Sequence, residues 1–194
     1  LLGAHAAGSN TLVQVFLPGA KSVILQNKAN KKNYEMEQAD EEGFFAVLVP
    51  GKAEFSYEYI AEYEDGSLKK VKDAYNFPSR ITDSDMEKFA AGIHYTVYEK
   101  LGAHPAEVDG VSGVNFAVWA PNAASVNVIG TFNGWNEDLH RMEKIGPLGI
   151  YTLFIPGVGE YEIYKYLIRT PEGEKLYKAD PFANYAEMRP GNAV

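Results

Sequence analysis

Residues 149–157, GIYTLFIPG, repeat the pattern of residues 43–51, GFFAVLVPG. Each stretch runs from a glycine through apolar and aromatic residues to Pro-Gly, which is typical of a buried strand bounded by turns. Further motifs recur in the same order about a hundred residues apart: LGAH at 2–5 and 101–104, YEYI and YKYL at 57–60 and 164–167, and DAY and DPF at 73–75 and 180–182. A repeat of that length is the size of one small domain. The chain is therefore predicted to contain two copies of one domain.

The remainder of both copies has the pattern of short strands separated by turns. Val114, Phe116 and Val118 recur with the period of two that a strand requires, and Asn133-Gly134 is favoured in tight hairpin turns. Four strands are predicted in each copy: 12–17, 23–25, 44–49 and 55–63 in the first, and 114–118, 126–129, 151–155 and 161–169 in the second. This pattern predicts an all-β fold of two tandem immunoglobulin-like β-sandwich modules.

One segment between the copies predicts a helix instead. Ser84 and Glu87 have the spacing of a capping box, Met86 and Phe89 share a helical face, and Gly92 is a natural C-terminal stop. The sequence thus predicts a divergent first module at residues 1–81, a short helical linker at 82–95 and a second module at 96–194.

Composition excludes several classes of partner. The 194 residues carry a formal net charge of −8, which disfavours nucleic acid because binding to phosphate backbones relies on basic patches. No apolar run approaches the roughly 20 residues of a membrane span. The sequence has no cysteine, which removes disulfides and thiol chemistry and favours a reducing compartment. We expect neither nucleic-acid nor membrane partners.

Residues suited to catalysis form no recognisable constellation. The histidines make no His-Glu-x-x-His pair, and there is no phosphate-binding glycine loop. His5 and His104 occupy equivalent positions in the two copies, which favours a structural role such as a turn hydrogen bond. The carboxylates lie in loops and at strand starts, without the cleft that a glycosidic acid pair needs. We expect no catalytic residue, metal site or cofactor in this chain.

The copies differ at residues suited to ligand binding. Trp135 follows Asn133-Gly134, whereas the matching stretch 27–34 of the first copy is rich in lysine and has no tryptophan; Lys165 stands where the first copy has Glu58. An exposed indole is complementary to the apolar face of a sugar ring, and Lys165 and Asn133 carry hydrogen-bonding groups for its hydroxyls. The alternative is that Trp135 folds back over the hairpin and Lys165 is an ordinary solvated charge.

A series of motifs in the second copy resembles the N-terminal region of bacterial 1,4-α-glucan branching enzymes. The motifs are YEKLGAH at 98–104, FAVWAPNA at 116–123, GTFNGW at 130–135, YKY at 164–166, DPF at 180–182 and MRP at 188–190. By this resemblance, residues 96–194 look like a carbohydrate-binding module of family 48. Residues 1–81 look like the more divergent N-terminal module of some branching enzymes.

The resemblance implies a function as well as a fold. It implies immunoglobulin-like sandwiches that precede a catalytic (β/α)8 barrel of the α-amylase superfamily, so this chain is expected to be a non-catalytic, cytoplasmic fragment of an enzyme of glycogen biosynthesis. The expected partners are α-1,4-glucans (glycogen, amylose and maltooligosaccharides) and the enzyme's own barrel. In related modules the Trp of the GxFNxW turn stacks on glucose and the Lys of the strand contacts hydroxyls, which corresponds to Trp135 and Lys165.

The chain departs from the family at one position. Strong glycogen binders often have a second tryptophan in the late strand, where this chain has only Tyr177 as a substitute. The predicted carbohydrate-binding residues are therefore Trp135, Lys165, Asn133 and Tyr177. The alternative function is that of purely structural modules, which pack on the catalytic domain and bind no sugar.

Overall fold

The computed structural model describes residues 2–51, 55–188 and 191–194, so the MRP motif lies partly outside the described residues. The chain divides into two compact units, Leu1–Phe77 and Pro78–Val194. The first unit contains eight strands in its described part: β1 (Gly3–Ala7), β2 (Asn10–Phe16), β3 (Ala20–Asn27), β4 (Asn33–Glu35), β5 (Glu37–Gln38), β6 (Phe44–Pro50), β7 (Tyr57–Tyr63) and β8 (Leu68–Val71).

The second unit begins with a helix and continues with strands. Its elements are α1 (Asp83–Ala90), β9 (Gly102–Val108), β10 (Val111–Trp119), β11 (Ser125–Gly130), β12 (Glu143–Ile145), β13 (Ile150–Pro156), β14 (Tyr164–Arg169) and β15 (Lys175–Lys178). Short 3-10 turns lie at Ala74–Asn76, Val97–Glu99 and Thr131–Asn133. No helix in the described part of the chain is long and apolar enough to cross a membrane.

The two units have the same topology. The first has sheets ordered β1-β2-β6-β5 and β4-β3-β7-β8, and the second has sheets ordered β12-β13-β10-β9 and β11-β14-β15, all antiparallel. A bridge between Asn127 and Arg141 stands where β4 pairs with β3 in the first unit. The predictions of an all-β fold and of two β-sandwich modules are therefore confirmed.

Each core lies between the two sheets of its own unit. In the first unit, buried Val13 and Phe45 from one sheet pack in the same cluster as Leu25 and Tyr59 from the other. In the second unit the rings of Phe116 and Tyr164 meet across the sheets, with centroids 5.1 Å apart.

The repeated tyrosine and aspartate motifs form one buried network in each unit. In the first unit, Tyr57 and Tyr59 donate their hydroxyls to Asp73 Oδ2 over 2.6 and 2.7 Å. In the second, Tyr164 and Tyr166 donate to Asp180 Oδ2 over 2.8 and 2.9 Å. A buried carboxylate is costly unless it is hydrogen-bonded, and these paired donors satisfy it.

The repeated histidines have the structural role that their equivalence predicts. His5 Nε2 contacts Leu2 O at 2.8 Å, and His104 Nε2 contacts Leu101 O at 2.9 Å. Each ring therefore closes the turn that leads into the first strand of its sandwich, and the prediction of a turn hydrogen bond is confirmed.

Helix α1 is present, but its predicted capping box is wrong. The N-cap is Thr82, whose hydroxyl accepts from the Asp85 amide while the Asp85 carboxylate accepts from the Thr82 amide. Thr82-x-x-Asp85 and Ser84-x-x-Glu87 are both capping patterns, and the chain uses the earlier one. The predicted stop at Gly92 is confirmed, since Gly92 has φ +69° and donates to Phe89 O.

Helix α1 belongs to the second unit and packs on the outside of its first sheet. Ile81, Leu101, Ala117 and Ile150 form a small buried cluster against which Met86 and Phe89 of the helix pack. The Phe89 ring also meets the Trp119 ring edge-on, with centroids 5.7 Å apart.

Candidate functional site

The turn that carries Trp135 is shaped by the amide of Asn133. Asn133 Oδ1 accepts from the Gly130 amide at 2.9 Å, and its Nδ2 donates to Val128 O at 3.1 Å and to His140 Nδ1 at 2.9 Å. All of these partners lie within the segment 128–140. Both Nδ2 hydrogens are therefore used within the turn, where the sequence suggested that they would be offered to a ligand.

His140 holds this turn from behind as a neutral base. Burial lowers its pKa to about 4, so at neutral pH the ring is uncharged and Nδ1 can accept from Asn133. The Phe132 ring lies 5.6 Å from the His140 ring. The predicted tight hairpin at Asn133-Gly134 is wrong in form. A 3-10 turn is followed by a long loop, and this loop returns to pair with β11 at 140–142.

Trp135 is presented on an unusual backbone. Gly134 and Trp135 both have left-handed φ values, +62° and +61°. For a bulky residue this conformation costs about 1–3 kcal/mol, and such strain persists only where the surroundings impose it. Here the Trp135 amide donates to Gly130 O at 2.9 Å, and the side chain remains 38% exposed. The indole therefore lies on the surface on a fixed backbone.

Lys165 lies beside this turn, on the outer face of the sheet formed by β11, β14 and β15. Its neighbours Tyr164 and Tyr166 are buried in the core, so alternation along β14 directs Lys165 outward. The register places it opposite Ile129, next to the Gly130 that receives the Trp135 amide. Among the described residues, no carboxylate oxygen lies within 4.0 Å of its ammonium group.

Tyr177 lies on the same outer face and is tied to the Trp135 loop. It pairs in register with Leu167, two residues along β14 from Lys165, so the two side chains are diagonal neighbours. Its hydroxyl donates to Glu137, and Lys175 forms an ion pair with the same carboxylate at 2.5 Å. Glu137 follows Trp135 by two residues, so the loop that carries the indole is anchored to β15.

The same loop covers the centre of this face. Leu167 is fully buried although it points away from the core of the sandwich. Beside it, Asn127 Nδ2 donates to Leu139 O at 3.0 Å. These contacts place the loop that carries the exposed Trp135 beside Lys165 and Tyr177, and we call these three residues the outer-face patch. Asn133 lies beneath it as a shaping residue.

The corresponding face of the first unit has different chemistry. Glu58 occupies the register position of Lys165, and its carboxylate lies 3.0 Å from Lys70 Nζ and 4.0 Å from Lys28 Nζ. The hydrogen bond from Lys70 lowers the pKa of Glu58. Glu58 and Lys165 thus occupy the same strand position with opposite charges, and in the first unit the charge of Glu58 is neutralised by the neighbouring lysines.

Sequence reasoning missed two residues of this site. Glu137 ties the loop to Tyr177 and Lys175, and His140 receives the Asn133 amide. Both lie within seven residues of Asn133 in the chain, which is the only signal that the sequence offered. The other tryptophan, Trp119, ends β10 as Phe16 ends β2, and its Nε1 donates to Leu148 O at 2.9 Å.

Two family models match the chain, one within each unit. Residues 1–75 match the family model of the N-terminal domain of the α-1,4-glucan branching enzyme GlgB. Residues 100–183 match carbohydrate-binding module 48, described as the isoamylase N-terminal domain.

Individual relatives match along the whole chain. The 1,4-alpha-glucan branching enzyme GlgB of Rubrobacter xylanophilus is 40% identical over 193 residues, which cover 99% of this chain and 26% of the relative. The corresponding enzyme of Thermosynechococcus vestitus is 42% identical over 198 residues, covering 100% of this chain and 26% of the relative. The chain thus spans about a quarter of the length of these curated relatives. In its sequence and its two sandwiches, the chain belongs to the GlgB branching-enzyme family, of which it carries the N-terminal domain and the carbohydrate-binding module 48.

Proposed function

We propose that the chain binds α-1,4-glucan through the outer-face patch and positions it for the catalytic barrel of a glycogen branching enzyme. The observation that carries the proposal is the presentation of Trp135. Its indole is exposed on a strained backbone that Asn133 and His140 hold from behind. Strain of this kind clusters at active sites and ligand-binding surfaces, and an exposed indole is suited to stacking on a sugar ring.

Each residue of the patch has a separate role. Trp135 supplies the stacking surface. Tyr177 adds a second, half-exposed ring whose hydroxyl is already engaged by Glu137, so its contribution is its apolar face. Lys165 supplies the donor for sugar hydroxyls. Asn133 acts through Trp135 as a positioning residue, because its amide hydrogens are used within the turn.

The patch suits a polymer better than a single sugar. One stacked ring and one ammonium donor give weak binding, and repeated contacts along a chain raise the apparent affinity through effective concentration. We infer that glycogen, amylose and longer maltooligosaccharides are the ligands. In this proposal the branching chemistry belongs to a barrel outside this chain, and the whole enzyme acts in the cytoplasm. Accordingly, the chain alone is expected to form no branches on amylose.

The test uses the two tryptophans as separate reporters. In a Trp119→Phe variant, which keeps an aromatic ring at the position that meets Phe89, all tryptophan fluorescence comes from Trp135. Titration with maltoheptaose should then give a saturable change in emission. A Lys165→Met change should weaken binding several-fold, and the matched Lys144→Met change should leave it unaltered. The absence of any saturable change would favour modules that only pack on the catalytic domain.

A second variant separates binding from folding. Asn adopts left-handed backbone readily, so Trp135→Asn should relieve the strain at φ +61° while it removes the stacking surface. We expect this variant to fold with equal or greater stability and to bind maltoheptaose at least tenfold more weakly, as measured by calorimetry. Unchanged affinity would place the sugar site elsewhere.

A further inference from the structure

The second unit has a concave surface apart from the outer-face patch. It is a groove with a volume of about 270 Å³, which we call the Tyr161 groove. Its floor is apolar and includes buried Val114 and Phe116 of β10. Its polar lining comes from Glu160, Tyr161, Glu162, Asn184 and Tyr185.

Two tyrosines flank this groove with their rings largely in solvent. Tyr161 is 85% exposed and Tyr185 is 70% exposed. Tyr161 also has φ +65°, a conformation that a bulky residue seldom adopts. A bulky residue in this conformation is strained, and residues strained in this way cluster at active sites and ligand-binding surfaces. The backbone of Tyr161 therefore shares with Trp135 the combination of strain and exposure.

The Tyr161 groove and the outer-face patch lie on opposite sides of β14. Tyr164 lines the groove and is buried, whereas the next residue, Lys165, points to the other face. The two surfaces meet only at the start of the strand. There Thr131, which opens the Trp135 turn, donates its hydroxyl to Glu162 of the groove and its amide to Ile163 O at 2.9 Å.

We propose that the Tyr161 groove is a second glucan-binding site, which takes one or two sugar rings at the end or along the side of an α-1,4-glucan. The groove is near the lower size limit, roughly 300 Å³, of small-molecule pockets. Its apolar floor and exposed tyrosine rings suit the C–H faces of a sugar. The carboxylates of Glu160 and Glu162 and the Asn184 amide suit its hydroxyl groups.

The charge of the lining further restricts the ligand. The charged side chains that line the groove, Glu160 and Glu162, are both acidic, and the chain as a whole carries −8. Phosphorylated sugars and other anions are therefore repelled, and a neutral glucan is not. This assignment of the ligand rests on the proposed function, whereas the location of the site rests on the groove itself.

Two sites on one small module have a consequence for affinity. A glucan segment bound at the outer-face patch raises the local concentration of the same polymer at the groove, so binding of long chains exceeds that of short ones. We expect maltotriose to bind each site independently and weakly. Glycogen or amylose should bind the intact pair more than tenfold more tightly than either single-site variant.

The experiment maps the two sites separately by amide chemical shifts during titration of the whole chain with maltotriose. Two sets of amides should shift, one around 159–162 and 184–185 and the other around 133–137 and 165. Tyr185→Ala should weaken binding at the first set at least tenfold and leave the second unchanged; Trp135→Asn should do the reverse. The exposed Tyr95, which lies outside the groove, provides the matched Tyr95→Ala control.

A blocking variant covers the possibility that Tyr185→Ala perturbs the fold. A Cβ atom at Gly159 meets no atom within 4 Å, so Gly159→Leu adds bulk to the groove without removing a contact. It should abolish the shifts of the first set alone. If only the second set shifts in the wild type, the proposal that the Tyr161 groove binds glucan is overturned and the proposed function is unaffected. Shifts confined to the first set would overturn the outer-face patch, and no shifts at all would overturn both.

Discussion

Acidification should weaken the second unit through a single histidine, His140. In the folded protein burial lowers its pKa from 6.5 to about 4. A proton on Nδ1 would also face Asn133 Nδ2, a donor that now lies 2.9 Å away. The folded state therefore prefers the neutral ring, and the unfolded chain takes up the proton first. Stability is complete above pH 6.5 and is lost as the pH falls towards 4.

The size of the effect follows from the shift. One pKa unit corresponds to about 1.4 kcal/mol, so the fall from 6.5 to about 4 corresponds to a total loss of about 3 kcal/mol. About 2 kcal/mol of this is lost between pH 8 and pH 5. Such a loss is a large fraction of the stability of a small domain.

The assay is urea unfolding followed by tryptophan fluorescence at several pH values. Trp119 and Trp135 both belong to the second unit, so the signal reports that unit directly. The matched variant is His140→Asn, because Asn tolerates the φ of +51° at this position and offers an oxygen acceptor to Asn133. The variant lacks the titrating ring and should lose less stability on acidification.

The difference in the free energy of unfolding between the wild type and His140→Asn isolates the contribution of the histidine. Burial raises the pKa of Asp180, so acidification favours the folded state at that carboxyl and opposes the effect of His140. Asp180 is present in both proteins and cancels in the comparison. The stability advantage of the wild type should fall by about 2 kcal/mol between pH 8 and pH 5. A difference in the free energy of unfolding that stays constant over this range would refute the assignment of a partly buried, neutral His140.

Three other outcomes follow from the second unit. Tyr164→Phe removes one of two hydroxyl donors to buried Asp180 and should cost about 1–3 kcal/mol in urea unfolding; an unchanged midpoint would contradict the network. Burial raises the pKa of Tyr164 and Tyr166, so the contribution of these two tyrosines to the stability of the unit should be complete below pH 10 and be lost as the pH rises above it. As the pH rises, the absorbance of tyrosinate and the unfolded fraction should therefore increase together. Ionisation of these tyrosines at a lower pH than unfolding would contradict their burial. Gly102→Ala places a Cβ 2.8 Å from Phe182 O at φ +108° and should destabilise by more than about 1 kcal/mol; thermal melting checks this.

The strands of both cores were predictable because their patterns are local. Residues 44–49 and 151–155 are apolar runs between turn signals, and they form β6 and β13 with shifts of one residue. The edge strands β1, β4, β5, β8, β9 and β12 were not predicted. Four of them (β4, β5, β8 and β12) hold only two to four residues each, too few for a period to be visible, and the pairing of edge strands depends on the partners that the fold brings to them.

The residues of the candidate site could be proposed from the sequence, whereas the neighbours that fix their roles could not. Trp135 and Lys165 stood out because the first copy lacks them, and the structure places the turn of Trp135 beside the strand position of Lys165. Asn133 looked like a ligand donor because the sequence shows an amide without its partners. Its partners Gly130, Val128 and His140 meet it only after the loop has closed on β11. The role of a side chain at a turn depends on its neighbours in the folded protein, and the sequence alone does not show those neighbours.

The Tyr-x-Tyr motif explains why the two copies diverge where they do. In each unit the two tyrosines face inward and share one buried aspartate. Losing either tyrosine removes one donor to the buried carboxylate, and losing the aspartate removes the acceptor that both hydroxyls use, so the three constrain one another. The residue between the tyrosines faces outward and takes no part in this network. It is Glu58 in one copy and Lys165 in the other, with no consequence for the core. The sandwich therefore leaves this position free to acquire a binding role, and in the second unit the neighbouring turn adds the indole that such a role requires.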